Sequence, residues 1–180
     1  GHRGARGACG RGHLQADPTG AHDHQGLALA ESGAERLRVV EGSHIPVTTI
    51  SATHGVDAEW RVEILDERPE YTSFRLSGPE GRSLETTVPV IGWHMAANAG
   101  LAIVMLVEAG FELEAIGHAI QGGIEAYLPG RTERVSGEVG PAVFVDFGHT
   151  PDAFLNTLKA VRKVTTGRVI MVFGADGDRD

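Results

Sequence analysis

Cysteine is nearly absent from this chain of 180 residues, which contains only Cys9. A disulfide framework and a cysteine-rich zinc site are therefore excluded, and a reducing compartment such as the cytoplasm is expected. The sequence also lacks an apolar run approaching the roughly 18 residues that a membrane span requires, and no signal peptide opens it. We therefore expect a soluble protein with no membrane partner.

Positive charge is also scarce. The chain has 16 Lys and Arg against 24 Asp and Glu, so its formal net charge at pH 7 is −8. This balance argues against a nucleic-acid partner held by bulk charge. The hydrophobic fraction of 41% still allows a core. At about 150 residues per domain, the length allows one large domain or two small ones.

Residues 1–35 lack a periodic apolar pattern and are rich in Gly, Ala, His and Arg. We predict a poorly ordered or atypical segment here. The irregular spacing of its histidines gives no ligand geometry, so no metal site is predicted. The Asp17-Pro18-Thr19 step favours at most a short helix over 27–31.

The pattern of residues 36–128 is different. Apolar and polar residues alternate with period two over 60–65, 71–76 and 83–90, and 47–50 is rich in β-branched residues. This alternation predicts an antiparallel meander with one solvated face. Its large aromatic residues are predicted to belong to the core, namely Trp60, Tyr71 and Phe74.

Helical spacing of apolar residues follows the predicted strands. It predicts a helix over 94–109 that ends at Gly110, and a second, shorter helix over 112–120. Both helices precede a boundary that the glycine and proline residues around Pro129 indicate.

Residues 129–180 indicate a unit of another kind. An apolar run over 142–146 ends in Asp146, a helix begins near Thr150 and Pro151, and a second apolar run covers 168–173. Strand, crossover helix and strand predict a parallel sheet, whose ligands lie beyond the carboxyl ends of the strands. The chain opens on Gly1 and stops in an apparent loop, so we interpret it as a segment of a longer protein.

Four motifs occur in a fixed order along the chain. They are Gly-Trp-His-Met-Ala-Ala-Asn-Ala at 92–99, Pro-Gly-Arg-Thr-Glu at 129–133, Asp-Phe-Gly-His-Thr-Pro-Asp at 146–152 and Phe-Gly-Ala-Asp-Gly-Asp-Arg-Asp at 173–180. In this order and spacing they resemble the Mur ligase family, over about 47–180. The motifs are most similar to those of the branch that adds the third amino acid to UDP-N-acetylmuramoyl-L-alanyl-D-glutamate.

The resemblance implies an α/β fold in two parts. Residues 36–128 would form the C-terminal part of the family's central ATPase domain, with antiparallel strands and helices. Residues 129–180 would form the start of its Rossmann-like C-terminal domain, with a hinge near Pro129. The family forms an amide through an acyl phosphate in peptidoglycan precursor synthesis. Its partners would be ATP with Mg²⁺, the UDP-N-acetylmuramoyl-dipeptide and a diamino acid, which this segment does not identify.

The family's phosphate-binding loop is missing, because no Gly-x-x-x-x-Gly-Lys-Ser/Thr string exists in the sequence. The Lys that contacts the terminal phosphates and the hydroxyl that holds Mg²⁺ are therefore expected upstream of residue 1. We expect the 180-residue chain alone to be inactive, and we assign it no catalytic residue.

Four residues match the family's nucleotide contacts. Asn98 would bind the adenine edge, since an amide supplies both donor and acceptor. Arg131 would approach the nucleotide on domain closure, Asp146 would accept hydrogen bonds from the ribose hydroxyls, and His149 would lie nearby. Met95 stands where the family usually has another Asn, so that neighbouring contact is not expected.

Two alternatives stay open. The chain is also compatible with another member of the same superfamily, such as a folylpolyglutamate or cyanophycin-type ligase. A non-catalytic nucleotide-binding or interaction module is the alternative from a different class. It would be favoured if the gene began at residue 1, because the phosphate-binding loop would then be absent.

Overall fold

The computed structural model describes residues 26–29 and 47–174. Its first part is a five-stranded sheet in chain order, and helices and a short hairpin follow. The strands of the sheet are β1 (Gly26–Leu29), β2 (Val47–Ser51), β3 (Trp60–Glu67), β4 (Thr72–Ser77) and β5 (Ser83–Val88). The later elements are α1 (Trp93–Glu108), α2 (Leu113–Ala119), β6 (Glu133–Arg134), β7 (Phe144–Val145) and α3 (Pro151–Val164).

The predicted antiparallel meander is confirmed for β3, β4 and β5. It is wrong for β2, which pairs with β3 in parallel. Only Ile50 with Trp60 and Ser51 with Arg61 lie side by side. The end of β2 lies beside the beginning of β3 and the two strands overlap nowhere else. The short 52–59 connection therefore does not have to run back along a whole strand, as a parallel crossover normally does.

One face of the meander is solvated, as its alternating sequence predicts. Arg75 lies between Glu63 on β3 and Glu85 on β5 in the strand register. Its guanidinium contacts Glu63 at 3.0 Å and Glu85 at 2.6 Å. Opposite charges directly across neighbouring strands support the pairing.

The other face of the meander is covered by α1. Trp60, Phe74 and Leu76 are each at most 1% exposed, and Ile103 and Val104 of α1 pack with them in one buried cluster. The prediction of core aromatics is therefore confirmed for Trp60 and Phe74. It is wrong for Tyr71, which stands just before β4 and is exposed.

Both ends of α1 follow the sequence signals. Gly92 precedes the helix with φ 115°, a backbone conformation that favours glycine. At the other end Gly110 has φ 94°, its N–H donates to the carbonyl of Val107, and the N–H of Phe111 donates to that of Leu106. These two bonds form a Schellman motif and end the helix where the sequence predicts.

Only part of the predicted strand–helix–strand unit is present. The helix is confirmed, with the Thr150 hydroxyl accepting from the N–H of Ala153. The predicted strand over 142–146 is reduced to two residues, Phe144 and Val145, which pair in antiparallel fashion with β6. Residues 168–173 form no strand, because no other described strand lies beside them to complete their backbone hydrogen bonds.

Within residues 1–35 the structure describes only Gly26–Leu29, so it tests one prediction for this segment. The short helix predicted over 27–31 is wrong, since Gly26–Leu29 is a strand that pairs in parallel with β2. The other predictions for residues 1–35 lie outside the described residues, and so does the motif at 173–180 after residue 174. Among the helices that the structure describes, none combines the length and apolar character needed to cross a membrane.

The buried aromatic at the centre of the sheet provides a test of this core. Phe74→Ala should lower the free energy of unfolding by about 3–5 kcal/mol, because it leaves a cavity between the sheet and α1. Phe111→Ala removes the same atoms from a side chain that is 58% exposed and should cost no more than about 0.5 kcal/mol. Urea unfolding of the two variants checks this, and equal losses would contradict the assigned core.

Candidate nucleotide site

Asp146 organises the turn that follows β7. Its Oδ2 atom accepts the backbone N–H of Thr132 at 2.8 Å and the hydroxyl of Thr132 at 3.0 Å. Its Oδ1 atom accepts the N–H of Gly148 at 2.7 Å. A carboxylate has about four acceptor positions, so three are filled and about one is left for a ligand.

Thr132 holds the segment before β6 to this turn. It is buried, at 3% exposure, and its backbone has φ 47°, an uncommon conformation for a β-branched residue. The N–H of Phe147 also donates to the carbonyl of Gly130 at 2.7 Å. The Arg131 loop and the Asp146 turn are therefore one unit, fixed by side-chain and backbone hydrogen bonds.

Arg131 and His149 both contact the ring of Phe147. The Arg131 guanidinium stands 5.3 Å from the centre of the Phe147 ring, and the His149 ring packs edge-on against the same ring at 5.4 Å. The Nδ1 atom of His149 lies 3.1 Å from the carbonyl oxygen of Phe147. Arg131 and His149 are both exposed, and the Phe147 ring contacts each of them.

Asn98 lies on the second turn of α1 and is exposed. No hydrogen bond joins its amide to Arg131, Asp146 or His149 in the part of the chain that the structure describes. His94 stands four residues earlier, hence on the same face of the helix. The structure thus brings Arg131, Asp146 and His149 together and leaves Asn98 separate, one turn along α1 from His94.

His94 occupies the junction between α1 and the Asp146 turn. Burial lowers the pKa of His94 from its ordinary value near 6.5, while the negative charges of Asp146 and Glu67 oppose that shift. Its Nδ1 atom is buried and has no hydrogen-bond partner among the described residues. The lowered pKa favours the neutral imidazole at neutral pH.

The α3 helix packs against the same junction. Ala160 on α3 is 3% exposed. A Cβ atom at Gly92 would lie 3.4 Å from the Cβ of Ala160 and 2.5 Å from the Cε1 of His94. Glycine at position 92 therefore lets the start of α1 approach both α3 and the imidazole of His94.

A separate groove of about 710 Å³ lies beside the 122–127 loop. Its lining includes Glu70, Tyr71, Thr87 and Tyr127, and it contains none of the four predicted nucleotide residues. The predicted contacts are instead presented on an open surface. No three His, Cys, Asp or Glu side chains converge as a metal site between residues 47 and 174 or in β1, so nothing described here fits a Mg²⁺ site.

Sequence reasoning missed the contacts and burial of Thr132, His94 and Glu67. Thr132 and His94 stand within the motifs at 129–133 and 92–99, and that position is the signal that could have found them. Glu67 lies outside all four motifs, at the end of an ordinary amphipathic strand. Only the packing of the later segment against β3 reveals it.

Comparison with known proteins identifies relatives of this chain. A family model described as "Mur ligase, glutamate ligase domain" matches residues 130–180. The UDP-N-acetylmuramyl-tripeptide synthetase of Leifsonia xyli subsp. xyli is 61% identical over 145 residues, which cover 79% of this chain and 28% of that protein. The UDP-N-acetylmuramoyl-L-alanyl-D-glutamate–2,6-diaminopimelate ligase of Streptomyces avermitilis is 37% identical over the same shares of the two chains.

A solved structure extends the comparison to the fold. The structure of a UDP-N-acetylmuramoyl-L-alanyl-D-glutamate–2,6-diaminopimelate ligase superposes with a TM-score of 0.56 at 25% identity, over 87% of this chain and 32% of the solved chain. The described residues form an α/β fold, in which α1 covers the antiparallel part of a mixed sheet and the Asp146 turn follows. The chain belongs to the Mur ligase family. It spans less than a third of the length of these two curated relatives.

The buried imidazole predicts a pH dependence of stability. The pKa of His94 is lower in the folded chain, so as the pH falls the unfolded chain binds a proton at this residue before the folded chain does. The contribution of His94 to the free energy of unfolding therefore decreases as the pH falls below about 6.5. Between pH 7.5 and 5.5, His94→Gln should therefore lose less free energy of unfolding than the wild-type chain. The difference is at most about 1.4 kcal/mol for each pH unit.

Urea unfolding at the two pH values measures this difference. His118→Gln is the matched control, because His118 is an exposed histidine on α2. Equal pH dependence of His94→Gln and the wild-type chain would show that His94 does not carry the effect.

Proposed function

We propose that this chain is part of an ATP-dependent acid–amino acid ligase of peptidoglycan precursor synthesis, the enzyme that adds the third amino acid to UDP-N-acetylmuramoyl-L-alanyl-D-glutamate. The observation that carries the proposal is the Asp146 turn, which joins Arg131 and His149 in one exposed unit beside the start of α1. The 61% identity to a tripeptide synthetase supports this branch of the family. Its substrates would be ATP, the UDP-linked dipeptide and a diamino acid, in the cytoplasm.

The proposed domain boundary lies near Pro129. Residues 36–128 would complete the central ATPase domain, and residues 129–180 would begin the C-terminal domain. Two observations support this boundary. No helix or strand occurs between Ala119 and Glu133. The N–H of Phe147 donates to the carbonyl of Gly130, so the residues just after Pro129 are bonded to the later segment.

Asn98 and Asp146 would hold the two ends of the nucleoside. Asn98 is exposed and presents an amide, the group that matches the donor and acceptor of an adenine edge. The remaining acceptor position of Asp146 is suited to a ribose hydroxyl. Its three existing hydrogen bonds hold the carboxylate in place before the ligand arrives.

Arg131 would meet the phosphates. Its guanidinium is held by the Phe147 face and keeps its N–H groups exposed, which suits a planar donor to phosphate oxygens. His149 packs edge-on against the same ring and would complete this edge of the site.

The chemistry begins at a carboxylate, which is a poor electrophile. ATP transfers its terminal phosphoryl group to that carboxylate to give an acyl phosphate, an incoming amine attacks the acyl carbon, and phosphate leaves. Mg²⁺ would neutralise phosphate charge in the complete enzyme. The described residues of this chain would position the nucleotide and help exclude water when the two domains close.

The folylpolyglutamate or cyanophycin-type alternative stays within the same superfamily, but the identities of 61% and 37% to muramyl-peptide ligases favour the main proposal. A non-catalytic module remains the alternative from another class. The purified 180-residue chain should release no phosphate from ATP with Mg²⁺ above an Asp146→Ala control, because it has no phosphate-binding loop. Phosphate release above that control would contradict this expectation.

A chimera tests the nucleotide contacts. In the Leifsonia synthetase, the matching 145 residues are replaced by those of this chain. Asp146→Ala should raise the apparent KM for ATP about ten- to hundredfold, because a charged acceptor contributes about 1.5–3 kcal/mol. Arg131→Ala should lower kcat as well, since phosphate contacts made on closure act mainly in the transition state.

Asp152→Ala is the control, because Asp152 is an exposed acid at the start of α3, close in sequence to Asp146. It should leave ATP kinetics unchanged, and none of the three variants should change the KM for the UDP-linked substrate by much. Wild-type ATP kinetics in both Asp146→Ala and Arg131→Ala would refute the nucleotide assignment.

A further inference from the structure

We propose that Glu67 and Glu70, at the end of β3 and in the turn before β4, form a clasp with Lys163 and Arg134 that holds the later segment against the sheet. Both acids belong to the part of the chain before Pro129, and both cations to the part after it. The clasp gives Glu67 and Lys163 the role of positioning residues for the site around Asp146.

The pair of Glu67 with Lys163 is the stronger half of the clasp. The Lys163 ammonium on α3 contacts the Glu67 carboxylate, and the side chain of Glu67 is only 4% exposed. A carboxylate that is withdrawn from water needs a partner, so the packing is favourable only while Lys163 stays in place. Lys163 itself is 64% exposed, hence its replacement does not disturb a core.

The pair of Glu70 with Arg134 fixes a second point. The Arg134 Nη1 atom lies 3.1 Å from the Glu70 carboxylate, and its Nη2 atom donates to the carbonyl of Gly137 at 3.1 Å. The guanidinium is therefore anchored to the 134–137 loop while it reaches the sheet. Glu70 is 60% exposed, so this pair directs the orientation of the loop more than it stabilises the fold.

The surfaces between the two pairs fit closely. Ala160, one turn before Lys163 on α3, is buried at the start of α1 beside Gly92. His94 on α1 experiences the negative charges of both Glu67 and Asp146. The clasp therefore brings the Asp146 turn to the end of α1 that also carries Asn98.

The clasp should affect the affinity of the site for ATP, and this expectation rests on the proposed function. Asn98 lies before the proposed hinge, and Arg131, Asp146 and His149 lie after it. The clasp favours the arrangement in which the two sets face one nucleotide. If a variant reduces the population of that arrangement tenfold, the apparent affinity for ATP should fall about tenfold.

The first experiment measures the clasp directly in the 180-residue chain without nucleotide. Spin labels are attached at Met105→Cys on α1 and Lys159→Cys on α3, both exposed positions, with the native thiol removed by Cys9→Ser. Double electron–electron resonance should give a narrow distance distribution in the otherwise unchanged chain. Glu67→Lys and Lys163→Glu should each broaden it toward longer distances, and the double charge exchange should restore it.

Two further variants keep this result interpretable. Glu63→Lys reverses an exposed acid on the same strand that pairs with Arg75 inside the sheet, and it should leave the distribution narrow. Lys163→Ala removes the cation without adding a charge, and circular dichroism should show that it stays folded. Any of three results would overturn the clasp. The distances could stay unchanged in Glu67→Lys and Lys163→Ala, the distribution could broaden in Glu63→Lys, or the charge exchange could fail to restore it.

The second experiment separates the clasp from the proposed function. In the chimera with the Leifsonia synthetase, Lys163→Glu should raise the KM for ATP, and adding Glu67→Lys should return it toward the starting value. If the distances respond as expected but the KM for ATP does not, the clasp stands and the nucleotide assignment fails. If the KM for ATP depends on Asp146 while the distances never respond, the proposed function stands and the clasp fails.

Discussion

The apolar face of the β3–β5 meander must be covered, and α1 is the element that covers it. Trp60, Phe74 and Leu76 are buried in one cluster with Ile103 and Val104 of α1. This contact fixes the axis of α1 and the position of its first turn. Gly92 precedes that turn, His94 lies on it and Asn98 lies on the next one, so the site depends on a hydrophobic contact that includes none of its polar groups.

The candidate site is built mainly from loops that are stiffened by local hydrogen bonds. Asp146 holds Thr132 and Gly148, and Phe147 contacts both Arg131 and His149. Loops that carry function on a rigid scaffold are common, since a loop can present several polar groups to one ligand. Here one carboxylate both shapes the turn and keeps an acceptor position for a ligand. The same negative charge acts on His94 across the junction.

Charged residues serve two purposes in this chain. On the solvated face of the sheet, Arg75 with Glu63 and Glu85 joins neighbouring strands, and water screens these exposed groups. At the junction, Glu67 is withdrawn from water and paired with Lys163 on α3. Both acids lie on β3, at 63 and 67, but the register shifts between Ile64 and Asp66, as in a β-bulge. Glu63 therefore pairs with the solvated Arg75, whereas Glu67 pairs with the buried Thr72.

The sequence by itself determined the elements whose signals are local. Period-two alternation gives β3, β4 and β5, the Schellman glycine Gly110 ends α1, and Thr150 caps α3, because each of these depends on neighbouring residues. Three of the four motifs also contain Asn98, Arg131, Asp146 and His149, which the family resemblance pointed to as a set. Tertiary structure alone decided the parallel pairing of β2, the loss of a strand over 168–173, and the roles of Thr132, His94 and Glu67. Strand partners and buried charges are set by residues distant in sequence, and no local pattern encodes which segment will lie beside them.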